Sequence, residues 1–547
     1  MTCSHRSSVA CNLARVRKES SFTVFQTNRV KEANPRSNRS LPTWLKYGLL
    51  FALGLLMTVT TYSEHTITKA AETTVSTATI ENIETYVEQE IARAGLPGGA
   101  FAIVAGDEVL VAKGVGIADR ATQEPVTSET AYAIGSVAKS FTSTAILQLR
   151  DSGLLDLDDP VQQYLPWFQV ADKAASAQIT IRQLLTHTSG LPGSSHGVVW
   201  QDRQRIRPSL EQGVRALKDV HLSSAPGTQF EYANMGYSIL GMVVEAVSNQ
   251  SYDSYLQTQI LEPLQMTNSA TQLDRVARLD VATPYDTLFG FSVKASPPEK
   301  TMGSYLGPAG GTLHSTAADM ARYVMVHLGT LPLPNLSETS LTEAHFGDRK
   351  IGQNTFYGFA WSSMEVDGVP LIAHNGNTNG SSSAIFLLPE QNIGGILIIG
   401  AGTSGLQDQI GLGIVKQLLN QPLERATTYD LWKRISKALL GISIISLLLL
   451  IGLGWTIRRQ RFRASSRLWI LVSRALFFSV LSGLSWWLAV GILPGLFQLP
   501  QPFGIYGWSV DLFIGVGLLL LSTTSWAVYS TVVTFRRTKP ASVSSQN

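Results

Sequence analysis

Four stretches of the chain are almost continuously apolar: 44–62, 438–457, 472–493 and 512–534. Each approaches the roughly 20 residues that a helix needs to cross hydrocarbon, so each is expected to be a transmembrane helix. Between the first and second stretch the pattern changes to short periodic runs, as in a water-facing domain. Ile83, Tyr86, Val87 and Ile91 recur with helical spacing from Glu81 to Ala94, and Gly95 ends the run. The segment GAFAIVAGDEVLVAKGVGIAD then alternates and turns at Gly106–Asp107, which predicts a β-hairpin. Helical patterns dominate from Ser136 to about Met325. Strand character returns in VPLIAHNG, SSAIFLLP and GGILIIGAG, and an amphipathic helix from Gln407 to Leu419 closes the region.

Strands at both ends of a helical middle are expected to meet in one antiparallel sheet. The predicted fold class is α/β: an antiparallel sheet flanked by helices, with an inserted helical lobe and a site at the seam between lobes. Four transmembrane helices complete it. The expected organisation is a basic segment over 1–43, a span at 44–62, a polar Thr-rich linker over 63–79 and a folded domain over 80–423. The spans at 438–457, 472–493 and 512–534 follow, and then a tail over 535–547.

Charge sets the orientation. Arg6, Arg15, Arg17, Lys18, Arg29, Lys31, Arg36 and Arg39 precede the first span, RRQRFR follows the second, and Arg536–Arg537 follow the fourth. The loop QLPQPFGIYG between the third and fourth spans is uncharged. Basic loops stay in the cytoplasm. The expected topology is therefore multi-pass in the cell membrane, with both termini cytoplasmic and the folded domain extracytoplasmic. The first span is read as an uncleaved anchor, because no A-x-A site precedes Tyr62. A net charge of +3 without a basic stripe in the middle region excludes a nucleic-acid partner. Both cysteines, Cys3 and Cys11, lie in the amino-terminal segment, so the folded domain uses neither disulfides nor thiol chemistry. The nine histidines show no zinc-binding spacing, and no metal or other cofactor is expected.

Three local patterns carry candidate chemistry. In GSVAKSF, Ser136 and Lys139 fall one turn apart at the start of a helix. The serine oxygen then sits at the positive helix end, and the lysine amine can take its proton if burial depresses the lysine pKa. In FEYANMGY, Tyr232 and Asn234 flank a tight turn and can present both polar tips to one cleft, where a phenol can relay protons. In HNGNTNG, which opens with His374 at the end of an apolar strand, Gly376 and Gly380 let a backbone come close to a ligand, and Asn377 N–H can pair with Ser136 N–H as oxyanion donors. Each pattern alone has an ordinary structural explanation: a helix cap, a buried tyrosine beside a turn asparagine, and a glycine-rich hairpin.

Together, S-x-x-K, Y-A-N and H-x-G in this order resemble the serine β-lactamase/penicillin-binding superfamily. The Tyr-Ala-Asn form is similar to class C β-lactamases, DD-carboxypeptidases of that branch and their esterase relatives. LLTHTSGLPG, APGTQFEYANMGYSILG and PAGGTLHSTAADMARY agree with this, and the resemblance covers roughly Ile80 to Leu423. It implies that Ser136 is acylated, Lys139 helps deprotonate it, and Tyr232 is the general acid/base. Asn234 would bind the substrate amide and His374 would line the third wall, with Gly376 and Asn377 beside it. His187 and His314 are read as structural. Two positions depart from the pattern: His374 replaces the lysine of K-T-G, and Asn375 replaces a threonine that commonly contacts a substrate carboxylate. No dedicated deacylating glutamate is evident.

The expectation is a membrane-anchored serine hydrolase acting through an acyl-enzyme on a small molecule or peptide. A cell-wall-related amide or ester is the expected substrate. The alternative is a membrane-tethered sensor or scaffold that binds ligand in the same cleft without turnover. A transporter is disfavoured, because Arg474 and Asp511 are the main intramembrane charges and both lie near interfaces.

Overall fold

The structure, a computed structural model, describes residues 75–195, 209–296, 304–310, 312–347, 349–403, 405–423, 427–459, 473, 476–482 and 510–538. All of these belong to one compact unit, Ala70–Asn547. The expected span at 44–62 and most of that at 472–493 lie outside the described residues.

A nine-stranded antiparallel sheet organises the domain. Its strands are β1 (Gly98–Ala105), β2 (Glu108–Asp119), β3 (Glu124–Pro125), β4 (Arg349–Lys350), β5 (Phe356–Tyr357), β6 (Ser362–Val366), β7 (Val369–Asn377), β8 (Ser382–Leu388) and β9 (Ile393–Ile399). The spatial order is β3-β2-β1-β9-β8-β7-β6-β5-β4. The first and last parts of the domain therefore meet at the sheet centre, where Gly99 opposes Ile399 and Ala105 opposes Ile393. The predicted hairpin is β1–β2.

Alternation along the central strands divides the core in two. Ala100, Ala102 and Val104 of β1, Ile385 and Leu387 of β8, and Ile396 and Ile398 of β9 face the helical lobe. Phe101, Ile103, Phe386, Leu388, Leu397 and Ile399 face the other way. Period-two side-chain direction produces this split. Each large aliphatic or aromatic side chain so buried contributes about 1.5–3 kcal/mol.

The second face is covered by helices α1 (Thr77–Ala94) and α5 (Leu406–Leu418). Helix α1 starts four residues before the expected Glu81, because the Ser76 hydroxyl accepts the Thr79 N–H at 3.1 Å and caps it. Gly95, at φ 73°, ends it as expected. The first face carries the lobe, in which α2 (Ala138–Asp151), α3 (Asn234–Ser248) and α4 (Ala317–His327) pack around one core.

Beyond the domain, α6 runs over Thr427–Arg459 and α7 over Val510–Thr538. Among the described residues, one helical segment is long and apolar enough to cross a membrane: Tyr429–Trp455, with a mean hydropathy of 2.4. The apolar run Ile514–Ser530 in α7 is shorter. The two helices touch, and Trp526 Nε1 donates to Leu449 O at 2.9 Å. The foot of α6 is tied to the domain: Arg93 pairs with Asp430, and Lys433 Nζ donates to Ala94 O at 2.9 Å at the carboxy-terminal end of α1.

Candidate active site

The chain reaches Ser136 from the short ladder Tyr132–Ala133, paired with His314–Ser315. It turns through Gly135 at φ 56°, forms one 3-10 turn over Gly135–Val137, and continues as α2. That φ lies in the left-handed region, where glycine fits without steric penalty. A side chain at Gly135 would also stand 2.6 Å from Asn377 N, and one at Gly376 would stand 2.0 Å from Ile134 O and 3.0 Å from Ser136 N. The turn that carries Ser136 and β7 are thus in backbone contact. Ser136 N–H and Asn377 N–H come together at one end of a cleft. The Asn377 side chain is turned aside, its Oδ1 accepting from Ser382 Oγ at 2.9 Å.

Lys139 lies at the start of α2, one turn after Ser136, and is fully buried. Its Nζ is 2.9 Å from Ser136 Oγ and donates to Ala309 O at 2.7 Å. Among the described residues no carboxylate pairs with it. Burial without a counter-charge pushes its amine well below its usual value. The lysine therefore has an accessible neutral form within reach of the serine proton.

Tyr232 and Asn234 project from the turn that opens α3, with Ala233 as its N-cap. His187 underlies that turn. Its Nδ1 accepts the Ala233 N–H at 3.2 Å, its carbonyl accepts the Glu231 N–H at 2.8 Å, and its ring lies 4.2 Å from the Tyr232 ring. An Nδ1 that accepts places the proton on Nε2, which is buried among rings with no hydrogen-bond partner. Burial first, and then the nearness of the basic groups of Lys139 and His374, hold His187 well below the usual imidazole range. Glu231 fixes the next layer by accepting the Gly193 N–H at 2.6 Å and the Ser223 hydroxyl. The Lys139 ammonium is 4.8 Å from the Tyr232 ring centroid.

On β7, His374 Nδ1 donates to Asn375 O at 2.6 Å, and its Nε2 accepts the Tyr357 hydroxyl at 3.1 Å. Burial, reinforced by the Lys139 charge, pushes this imidazole down to about 3, so it is neutral at pH 7. The third wall of the cleft therefore carries a dipole where K-T-G relatives carry a cation. Asn375 points to the other face of the sheet, where its Nδ2 donates to both oxygens of Asp408 at 3.0 Å. Burial pushes Asp408 up to about 7, against the opposing effect of that hydrogen bond.

A cavity of about 710 Å3 is lined by Ser136, Tyr232, Asn234, His374 and Asn377. Lys139 and Gly376 do not line it but adjoin it at Ser136, Lys139 through its Nζ and Gly376 through the backbone. His314 stays apart in the ladder, with its Nδ1 bonded to Thr312 O at 2.9 Å. Three participants carried no usable sequence signal for the site: Tyr357, Asp408 and the positioning contact of His187. Among the described residues no three His, Cys, Asp or Glu side chains converge on a point.

Comparison with known proteins places this geometry. The family model described as Beta-lactamase matches residues 83–408. "Penicillin-binding protein 4" of Amycolatopsis lactamdurans is 33% identical over 319 residues, covering 56% of this chain and 82% of that protein. "Protein flp" of Staphylococcus aureus (strain COL) is 28% identical over 459 residues, covering 83% of this chain and 89% of that protein. Among solved structures, the octameric penicillin-binding protein homologue from Pyrococcus abyssi superimposes with a TM-score of 0.55 at 26% identity. It covers 63% of this chain and 78% of that one.

Proposed function

Because this chain belongs to the beta-lactamase family, we propose that it is a serine hydrolase that forms an acyl-enzyme on Ser136. Its catalytic domain is held on the extracytoplasmic side of the membrane by its apolar helices. One observation carries the reading: a fully buried lysine amine, depressed in pKa and without a carboxylate partner, lies 2.9 Å from a serine oxygen. A structural lysine gains nothing from such a position, because desolvation of the ammonium is strongly unfavourable.

In this mechanism neutral Lys139 takes the Ser136 proton as Oγ attacks the substrate carbonyl carbon. The carbonyl oxygen becomes an oxyanion between Ser136 N–H and Asn377 N–H. Tyr232, in contact with Lys139, passes the proton to the leaving amine or alcohol, and the carbonyl re-forms as an ester on Ser136. Water then attacks the ester, its proton returns through the same pair, and the acid product leaves. Asn234 holds the substrate amide, and His374 orients it as a neutral dipole. Substrates are peptide amides or esters, with cell-wall components the natural class for an enzyme on this side of the membrane. With no cationic residue at the third wall, recognition of a free carboxylate is weak.

The test is intact mass of the protein after exposure to a fluorescent penicillin, with Ser136→Ala alongside. An adduct that depends on Ser136, or drug consumption that depends on it, is the expected result. A folded Ser136→Ala protein that retains full hydrolysis rules out the mechanism. Ligand binding without any Ser136-dependent chemistry favours a sensor instead.

A further inference from the structure

The cavity at Ser136 does not end at the polar groups. Strand β6 pairs with β7 only from Val366–Val369 to Ser362–Ala373. Beyond Ala373, the outer edge of His374–Asn377 has no strand partner among the described residues, and the cavity continues around this edge onto the opposite face of the sheet. There its walls are Met364, Leu371 and Phe386 of the sheet and Leu412 and Val415 of α5. Leu371, Phe386 and Val415 belong to the second core, away from the lobe that carries Ser136. Asn375 and Asp408 stand where the two compartments join and satisfy each other. The charged lining residues are Glu365, Asp367, Asp408 and Lys416.

One cavity therefore has one half at Ser136 and another behind the strand edge, whose walls Met364, Leu371, Phe386, Leu412 and Val415 are apolar. Against those walls a peptide amide finds no hydrogen-bond partner; its partners there are confined to Asn375, Asp408, the charged groups Glu365, Asp367 and Lys416, and the strand edge itself. An unbranched hydrocarbon loses nothing there and gains from each methylene removed from water.

We propose that the compartment between β6–β7 and α5 is a binding site for an aliphatic arm, so that the substrate is an ester or amide carrying an unbranched acyl chain. The inference rests on the serine-hydrolase reading and narrows its substrate class. The carbonyl sits at Ser136, and the chain passes over the free edge of β7 to lie against Leu412 and Met364.

The experiment uses the full chain in phospholipid nanodiscs, with p-nitrophenyl acetate and p-nitrophenyl hexanoate as probes. Transfer of each methylene out of water corresponds to as much as fourfold in kcat/KM, and half-exposed walls reduce this to about twofold. The hexanoate-to-acetate ratio of kcat/KM is expected to be at least tenfold. Leu412→Glu, which places a carboxylate in a half-buried wall, is expected to cut that ratio at least twofold. Met364→Gln on the opposite wall provides the same reading should the first variant fold poorly. A ratio below tenfold, or one that a folded wall variant leaves intact, overturns the proposal. Failure of the two readings is distinguishable. Ser136-dependent turnover without a chain-length gain removes only the acyl site, whereas absence of Ser136-dependent turnover of either ester removes the serine mechanism and the acyl site with it.

Discussion

Gly376→Ala is the sharpest probe of the site, because the added atom has nowhere to go. Its Cβ would lie 2.0 Å from Ile134 O, 2.6 Å from Ser383 Oγ and 3.0 Å from Ser136 N. An ordinary close C···O contact is about 3.3 Å, so the two backbones must separate by about 1 Å. Neither side can yield alone: β7 is paired to β8 from Ile372 to Asn377, and Ile134 O holds the Ser383 hydroxyl at 2.7 Å. The separation opens the gap between Ser136 N–H and Asn377 N–H. A misplacement of about 1 Å at reacting groups lowers the rate by about 100-fold. Overpacking of this kind costs about 1–3 kcal/mol of stability. The assay is kcat/KM for a nitrophenyl ester alongside thermal unfolding, with Gly153→Ala as the comparison. Gly153 sits at φ 72°, and no atom lies within 4 Å of the place its Cβ would take. Its alanine variant therefore carries only left-handed backbone strain of about 1–2 kcal/mol. Gly376→Ala should lose about two orders of magnitude in rate, and Gly153→Ala should lose stability alone. Equal rate losses in the two variants, or a Gly376→Ala rate within threefold of wild type, would refute the backbone-contact argument.

Two further outcomes follow from buried bases. The pH–rate profile of kcat/KM should rise with pH as Lys139 loses its proton, at a pH well below the lysine reference of about 10.4. Lys139→Met should remove that limb and lower the rate by about 100- to 10,000-fold. In the helical lobe, His327 Nδ1 and His345 Nε2 lie 2.9 Å apart, both buried beside Trp361. Desolvation lowers both imidazoles, His345 to about 3. Depressed folded-state values mean that the unfolded chain binds more protons. Stability is then fully present above about pH 6.5 and lost as pH falls toward the folded value, with a slope of up to about 1.4 kcal/mol per pH unit for each histidine. Thermal melts from pH 7 to pH 4 should show this decline, and His345→Gln should flatten it. An unchanged slope in that variant would exclude the pair as a source.

What the sequence reveals about this site follows contact range. Ser136, in the 3-10 turn, and Lys139, at the start of α2, are three positions apart on one continuous helical run, so their meeting is a property of helical pitch. Period-two patterns place the strands of the hairpin and of 369–399, and their positions at both ends of the domain imply a shared sheet. The Asn375–Asp408 pair joins a strand to a helix start, and Tyr357 reaches His374 from a two-residue strand. No periodicity encodes either contact, because both depend on the register in which the sheet edge packs. His187 looks like a structural histidine and is buried like one. Only the fold shows that it holds the turn bearing Tyr232. The apolar extension of the cavity is equally silent in sequence, since Leu371, Phe386 and Val415 read as ordinary core.

The pairing of β1 with β9 brings together residues roughly 300 positions apart in the chain. Closing so long a loop before any ladder forms is entropically unfavourable, and topologies built on such contacts fold slowly. Until residues 393–399 arrive, β1 and β8 each present a bare edge, the kind of surface on which chains aggregate. Order of synthesis therefore matters to this domain. Ser136 is made early, but the strand that supplies Asn377 and the sheet that braces it come only near the domain's end. On the mechanism proposed above, hydrolytic competence therefore waits for the residues up to Ile399. A domain truncated anywhere before Ile393 should be inert however complete its nucleophile motif.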